Sequence, residues 1–384
     1  MKASIVLILS ACGLFAGQAT AHDYKPAHCP AAMPYEGKRA PPMDLSSGFD
    51  QAAVPEHPVD SETRQRLASA LQKAMLATHA TAMTVAVASP DQGQWQTSVT
   101  SVGDTTDRLF FWASAGKTLT AVAILQLAEK GRLSLSDPVS NWVGDVPNGD
   151  AITLGNLLNH TSGLFSANED LVFNKTPHRL SLGEEVKILN RHGAMFCPGQ
   201  NWRYSNSGYA LLGEVLEKIE GKSYAQIVTA RVLDRLGLKH MRMLTPADDL
   251  ADVMAPVSQT DQPAIDPRQP GAAGGVVASA ADMTTVWEAL LGGRLLKLDT
   301  VRAQFAMLYP MFGQPQYYGQ GVMVYVVQEP TGAAPATWLG HSGGAPGVKS
   351  VVAYSLKNKT FVAVAMTGDG SAEATAALLL RQLH

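Results

Sequence analysis

FFWASAGKTLTA, residues 110–121, places a serine and a lysine three positions apart at the start of a long apolar segment. The segment continues as VAILQLAE and is apolar on nearly every side, which predicts a buried helix that ends at Gly131. Because residues three positions apart are neighbours on a helix, the amine of Lys117 lies over the same face as the hydroxyl of Ser114. Such an amine can accept and return the hydroxyl proton. Burying a lysine on an apolar helix costs free energy, so its presence there indicates a functional role of this kind. The stretch therefore predicts Ser114 as a nucleophile and Lys117 as its proton partner.

A second serine competes with this reading. The stretch GHSGG has Ser342 at its centre and matches G-x-S-x-G, the nucleophile elbow, which requires a strand before the serine and a helix after it. The following APGVKSVVAYSL is β-like instead. The elbow would also need Asp369 or Glu373 as its acid and His384, the last residue, as its base, and a terminal residue is poorly held. The sequence favours Ser114.

A third motif, YSN, follows a Pro-Gly turn and precedes a helical pattern. The pKa of a phenol beside an ammonium is lowered, so Tyr204 can act as a general base for Ser114. The amide of Asn206 can orient a substrate carbonyl or Lys117. In isolation the same residues would be read as a buried tyrosine and a helix-capping asparagine.

The GHSGG stretch then has another role, as a strand that forms the far wall of the same cleft. Its backbone N–H groups can pair with a substrate or hold an oxyanion, and Gly343 and Gly344 allow a ligand to approach the backbone closely. The alternative for His341 is an ordinary strand histidine.

The motifs S-x-x-K, Y-x-N and H-x-G, in this order, resemble those of the serine β-lactamase and penicillin-recognising family. The resembling branch contains class C β-lactamases, D-alanyl-D-alanine carboxypeptidases and family VIII esterases. The resemblance covers residues 60–384 and includes GRLSLSDPVSNWV, ITLGNLLNHTSGL, AAGGVVASAADM and GHSGGAPGVKS.

This resemblance implies acyl transfer through a covalent intermediate, without a metal or other cofactor, on a small-molecule or peptide substrate. It implies that Ser114 is acylated, that Lys117 and Tyr204 share proton transfer, and that the backbone N–H groups of Ser114 and Gly344 form the oxyanion hole. The residues expected to face the substrate are Asn206, His341, Ser342, Gly343 and Gly344.

The histidine at 341 stands where the lactamases of this branch have lysine. A histidine at this position resembles the carboxypeptidase and esterase members of the branch. A neutral imidazole binds a carboxylate less strongly than an ammonium does, which argues against a class C-like β-lactamase. A family member that has lost catalysis and serves as a scaffold is the alternative of another class. The intact set of Ser114, Lys117, Tyr204 and Asn206 argues against it.

The order of elements predicts an α+β fold of the β-lactamase/transpeptidase type. A helix capped by Asp60 and a hairpin lie at one end of the chain, and strands and a final helix lie at the other, so an antiparallel sheet is assembled from both ends. The predicted divisions are a signal peptide, an irregular extension, a discontinuous sheet domain and an inserted, mainly helical domain. Their ranges are 1–21, 22–59, 60–110 with 300–384, and 111–299.

Composition excludes several partners. The formal net charge is −3 and no Lys/Arg-rich run occurs, which argues against a nucleic-acid partner. No apolar stretch after the N-terminus is long enough to span a bilayer. Residues 1–21 have a positive residue, an apolar run and a small-x-small end, which predicts cleavage after Ala21 and a periplasmic or secreted protein. Lipid attachment at Cys12 is the alternative.

Two cysteines remain after such cleavage. In an oxidising compartment Cys29 and Cys197 either form a disulfide or stay independent thiols, and two cysteines do not decide between these from sequence.

Overall fold

A computed structural model describes residues 27–49, 56–170, 178–313, 315–329 and 332–383. The predicted signal peptide and the alternative lipid attachment at Cys12 lie outside the described residues.

Most helices in the described part of the chain come, in sequence, between the strands near its N-terminal end and those near its C-terminal end. The first begins where Asp60 accepts a hydrogen bond from the N–H of Thr63 at 2.7 Å, which satisfies one of the free donors at its N-terminus. The helices are α1 Ser61–Thr78, α2 Lys117–Glu129, α3 Leu154–Leu158, α4 Leu182–His192, α5 Asn206–Glu220, α6 Tyr224–Val228, α7 Asp234–Leu236, α8 Ala280–Leu291, α9 Leu298–Phe305 and α10 Ala372–Leu380.

The strands form two sheets. They are β1 Ala82–Ser89, β2 Gly93–Thr100, β3 Phe110–Phe111, β4 Met241–Met243, β5 Val276–Ala278, β6 Tyr309–Pro310, β7 Gln316–Tyr318, β8 Met323–Val327, β9 Ala336–Ala345, β10 Val348–Ser355 and β11 Thr360–Thr367. The large sheet is antiparallel throughout, in the order β2-β1-β11-β10-β9-β8-β7-β6. Strands from both ends of the chain therefore lie side by side, which confirms the predicted fold class.

The large sheet separates two apolar cores, because side chains alternate between its faces. One core contains residues of α1 and α10, and the other contains α2, α5 and α8. On β1, Met83, Val85 and Val87 belong to the first core and Ala82, Ala86 and Ala88 to the second. The small alanines bring the central helices close to the sheet.

The inserted region is not purely helical. It contains a small three-stranded sheet in the order β3-β5-β4, and β3 leads directly into the turn that carries Ser114. The helix α2 is buried from Lys117 to Leu127, as its apolar sequence predicts. The residue limits of the two predicted domains stay a prediction.

One stretch folds differently from what its sequence pattern suggests. YGQGVMVYVVQ, residues 318–328, reads as a single strand, but the structure folds it into the hairpin of β7 and β8. The turn closes where the N–H of Gly319 donates to the carbonyl of Val322 at 2.9 Å, and Gly321 has a φ of 72°. The two glycines allow a reversal that the valine-rich pattern conceals.

The N-terminal extension is attached to the loop that precedes α5. Cys29 and Cys197 form a disulfide across 168 residues of sequence. The N–H of Glu36 donates to the carbonyl of Gln200 at 2.9 Å, and the side chains of the same two residues are hydrogen-bonded at 3.1 Å. The extension therefore lies along the segment that leads to Tyr204.

None of the helices in the described part of the chain combines the length and apolarity needed to cross a bilayer.

Candidate active site

Ser114 lies in the short connection between β3 and α2. The connection is a 3-10 turn, Ala113–Gly116, so the serine lies just ahead of α2 rather than in its first turn as the sequence suggested. The preceding Trp112 is held on both sides. Its N–H donates to the carbonyl of Val276 at 3.0 Å, and its carbonyl accepts from the hydroxyl of Ser350 at 2.7 Å. The turn is thus fixed between the small sheet and the large one.

Lys117 is fully buried, and its Nζ lies 3.1 Å from the Oγ of Ser114. The same Nζ donates to the Oδ1 of Asn206 and to the carbonyl of Ala273, each at 2.6 Å. Since these two oxygens only accept hydrogen bonds, they hold two N–H groups and leave the third position of the amine facing Ser114. Burial lowers the pKa of the Lys117 amine well below its ordinary value, which favours the neutral form with a lone pair.

Asn206 is the first residue of α5, and its amide is held at both ends. Its Oδ1 accepts from Lys117, and its Nδ2 donates to the Oδ1 of Asn168 at 2.8 Å. The Oδ1 of Asn168 also accepts from the hydroxyl of Ser166 at 2.6 Å, and this hydroxyl accepts from the N–H of Asn206 at 2.9 Å. The chain of bonds fixes which way the amide points. Ser166 and Asn168 were missed by the sequence analysis, since no local pattern marks them.

Tyr204 lies two residues before α5, beside the buried amine. The Nζ of Lys117 is 4.9 Å from the centre of its ring. The ring of His160 lies 4.2 Å away on one side, and that of Phe312 lies 6.1 Å away. The structure therefore brings Tyr204, Lys117 and Ser114 into one site, as the motifs predict.

His160 is a buried neighbour of this site. Its Nδ1 accepts from the N–H of Ser205 at 3.2 Å, and its Nε2 has no hydrogen-bond partner among the described residues. Burial, with Lys117 and His341 nearby, lowers the pKa of His160 well below its ordinary value. The ring is therefore neutral and packs against Tyr204.

His341 is placed differently from what the sequence suggested. It is 1% exposed, and both ring nitrogens contact protein atoms. Its Nδ1 donates to the carbonyl of Ser342 at 2.6 Å, and its Nε2 lies 3.1 Å from the hydroxyl of Tyr318, which donates to the hydroxyl of Tyr209 at 3.2 Å. Burial, with a smaller effect of Lys117, lowers the pKa of His341 to about 3. His341 is thus a neutral group that orients Tyr318 rather than an open substrate contact.

Ser342 is not placed as an elbow nucleophile. It lies within β9, and β10 follows it where an elbow requires a helix. Its hydroxyl donates to the Sδ of Met323 at 3.8 Å and is one of the groups that oppose the rise of the pKa of Glu373, at the start of α10, on burial. These contacts belong to the α1 and α10 side of the sheet. The proposed substrate contact through the Ser342 side chain is therefore not supported by its surroundings.

The two glycines that follow have different surroundings. A Cβ at Gly343 would lie 2.1 Å from the carbonyl oxygen of Trp112 and 2.9 Å from the nitrogen of Ser114. A Cβ at Gly344 would meet only the side chain of Lys349, at 3.6 Å. Gly343 thus lets β9 lie directly against the Ser114 turn. The place of Gly344 in an oxyanion hole stays a prediction, as do the chemical roles of the other site residues.

The described residues contain no group of three or more His, Cys, Asp or Glu side chains placed to hold a metal ion.

Comparisons with known proteins agree with this geometry. The Beta-lactamase family model matches residues 67–384. Putative penicillin-binding protein PbpX of Bacillus subtilis (strain 168) is 32% identical over 260 residues, which are 66% of this chain and 60% of that protein. The chain thus spans less than two thirds of that relative's length.

Solved structures show the same fold. A D-stereospecific amidohydrolase from Streptomyces sp. has a TM-score of 0.70 at 26% identity, with 83% of this chain and 97% of that one covered. The D-amino acid amidase from Ochrobactrum anthropi SV3, complexed with L-phenylalanine, has a TM-score of 0.73 at 20% identity, with 84% and 98% covered, and this likeness concerns the fold alone. Because the family model matches most of the chain and the fold agrees, this protein belongs to the beta-lactamase family.

Proposed function

We propose that this protein is a serine hydrolase that cleaves esters and amides of D-amino acids through an acyl-enzyme on Ser114. One observation carries the proposal: the buried amine of Lys117 has two positions held by acceptor oxygens and its third directed at the Ser114 hydroxyl, 3.1 Å away. A neutral amine so placed can accept the hydroxyl proton as the oxygen attacks.

In the acylation step, the Oγ of Ser114 bonds to the substrate carbonyl carbon, and its proton passes to the pair of Lys117 and Tyr204. The carbonyl oxygen gains negative charge, which the backbone N–H groups of Ser114 and Gly344 stabilise. The carbon–heteroatom bond then breaks, and the leaving atom takes a proton from the same pair. Water attacks the acyl-enzyme by the reverse transfers and releases the acid.

The preference for esters and amides without a leaving-group carboxylate rests on His341. This ring is neutral and buried, so it supplies no positive charge at the position where the lactamase branch has a lysine. A β-lactam or D-alanyl-D-alanine carboxylate would lose that attraction. The D-configuration of the acyl group is suggested by the names of the two amidohydrolase structures that share the fold.

The proposal is tested by labelling and by turnover. A fluorophosphonate probe, followed by peptide mass spectrometry, is expected to modify Ser114 in the wild type and in Ser342→Ala but to give no adduct in Ser114→Ala. D-alanine amide, a p-nitrophenyl ester, a D-Ala-D-Ala peptide and nitrocefin are then compared side by side. Fastest turnover of nitrocefin would establish a β-lactamase instead, and absence of both adduct and turnover would favour a scaffold protein.

We also propose that the protein is exported. A disulfide between Cys29 and Cys197 supports this, because such bonds persist mainly in oxidising compartments. N-terminal sequencing of the protein purified from its native host is expected to begin at His22. An intact Met1 in a cytosolic fraction would contradict export.

A further inference from the structure

The hairpin between β6 and β7 presents an unusual residue to solvent. Phe312 is 59% exposed, and its φ of 47° lies in the left-handed region, which phenylalanine seldom occupies. Exposure and strain both disfavour a phenylalanine here, since glycine or asparagine would fit the backbone better. Backbone outliers of this kind concentrate at functional sites.

The exposed ring stands at the edge of the candidate active site. Its centre lies 6.1 Å from that of Tyr204 and 6.0 Å from that of Trp202, to which it is nearly perpendicular. Both distances are within the range of aromatic pairs, so the three rings form one apolar wall. The wall begins at Tyr204, whose ring is 4.9 Å from the amine of Lys117.

We propose that Phe312, with Trp202 and Tyr204, forms a subsite that binds an aromatic leaving group of the substrate. The inference rests on the proposed function, in which the leaving atom receives its proton from the pair of Lys117 and Tyr204. A group that is protonated there lies beside Tyr204 and therefore within reach of Phe312. An aromatic alcohol or amine would stack on the exposed face of Phe312, whereas a methyl or ethyl group would leave that face in water.

Two esters of D-alanine separate this subsite from the reacting centre. The benzyl and ethyl esters share the acyl group, and comparing each ester between two proteins cancels its intrinsic reactivity. We expect Phe312→Asn to lower kcat/KM for the benzyl ester about tenfold and for the ethyl ester by less than about twofold. Phe312→Trp should keep the wild-type ratio between the esters.

Stability provides the structural control. Asparagine tolerates the left-handed backbone, so Phe312→Asn is expected to keep or raise the melting temperature while it loses the preference for the benzyl ester. The matched control is Leu76→Ala, because Leu76 is an apolar side chain that is 77% exposed on α1, a helix that packs against α10. It should alter neither ester. Equal losses on both esters in Phe312→Asn, or no loss on either, would overturn the subsite.

A binding measurement distinguishes failure of the subsite from failure of the proposed hydrolysis. Calorimetric titration of the Ser114→Ala variant with D-alanine benzylamide needs no turnover, and adding Phe312→Asn should weaken binding about tenfold. If the wild type hydrolyses neither ester but this weakening is seen, the hydrolysis proposal fails and the subsite stands. Unchanged binding would refute the subsite whatever the turnover.

Discussion

A methyl group added at Gly343 tests whether close contact between β9 and the Ser114 turn is needed for activity. In Gly343→Ala the new Cβ would lie 2.1 Å from the carbonyl oxygen of Trp112, about 1.3 Å short of ordinary van der Waals contact. It would also lie 2.7 Å from the Oγ of Ser350, whose hydroxyl donates to the same carbonyl. Ser350 lies in β10 and pairs with Gly343 across the sheet, so β9 cannot move away freely.

The expected magnitudes follow from this overlap. Overpacking of a rigid interior typically costs about 1 to 3 kcal/mol, and loss of the buried hydrogen bond from Ser350 about 1 kcal/mol more. We therefore expect the free energy of unfolding to fall by about 2 to 4 kcal/mol. A displacement of about 1 Å at a reacting centre can lower the rate about 100-fold, which equals about 2.7 kcal/mol in kcat/KM.

The neighbouring glycine is the matched control. In Gly344→Ala the Cβ meets only the flexible side chain of Lys349, at 3.6 Å, so kcat/KM should stay within about threefold and stability within about 0.5 kcal/mol. Urea unfolding measures stability, and ester hydrolysis with fluorophosphonate labelling measures activity. Wild-type rate and stability in Gly343→Ala would refute the contact, and so would equal losses in both variants.

Other consequences of the structure can be measured. Lys117→Met should slow labelling of Ser114 at least about 1,000-fold, since the base is lost while the side-chain volume is kept. An unaltered labelling rate would show that the amine does not take part in the reaction. In the wild type the labelling rate should rise as the pH increases through the pKa of Lys117, because only the neutral amine accepts a proton. Burial lowers this pKa below its ordinary value. A labelling rate that falls over this range would contradict the assignment of Lys117 as the base. The lowered pKa of His341 means that the unfolded chain binds a proton between pH 6.5 and about 3 that the native protein does not bind. The free energy of unfolding should therefore fall as the pH is lowered through this range. In His341→Gln the dependence of the free energy of unfolding on pH should be less steep, by at most about 1.4 kcal/mol per pH unit. An unchanged dependence would argue against a buried neutral ring. Reduction of the bond between Cys29 and Cys197 should lower the free energy of unfolding by about 2 to 5 kcal/mol in urea titrations, because it closes a long loop, whereas Cys29→Ser should be insensitive to the reductant.

Features that depend on near neighbours were predictable before the structure. The cap at Asp60, the buried character of α2 and the pairing of Ser114 with Lys117 each depend on residues within a few positions, where covalent geometry restricts the possibilities. The family motifs also predicted Tyr204 and Asn206 as site residues, and the structure places both beside the amine of Lys117.

Contacts between distant segments were not predictable in this way. Lys117 also donates to the backbone carbonyl of Ala273, 156 residues away, and backbone carbonyls carry no signature in a sequence. The environment of His341 likewise depends on Tyr318, whose hydroxyl the reversal between β7 and β8 brings to 3.1 Å from the His341 ring. Pattern and spacing thus indicated which groups can react. The packing of sheet against helices set which of them are buried, neutral and in contact, because burial and pKa are properties of the whole surrounding structure.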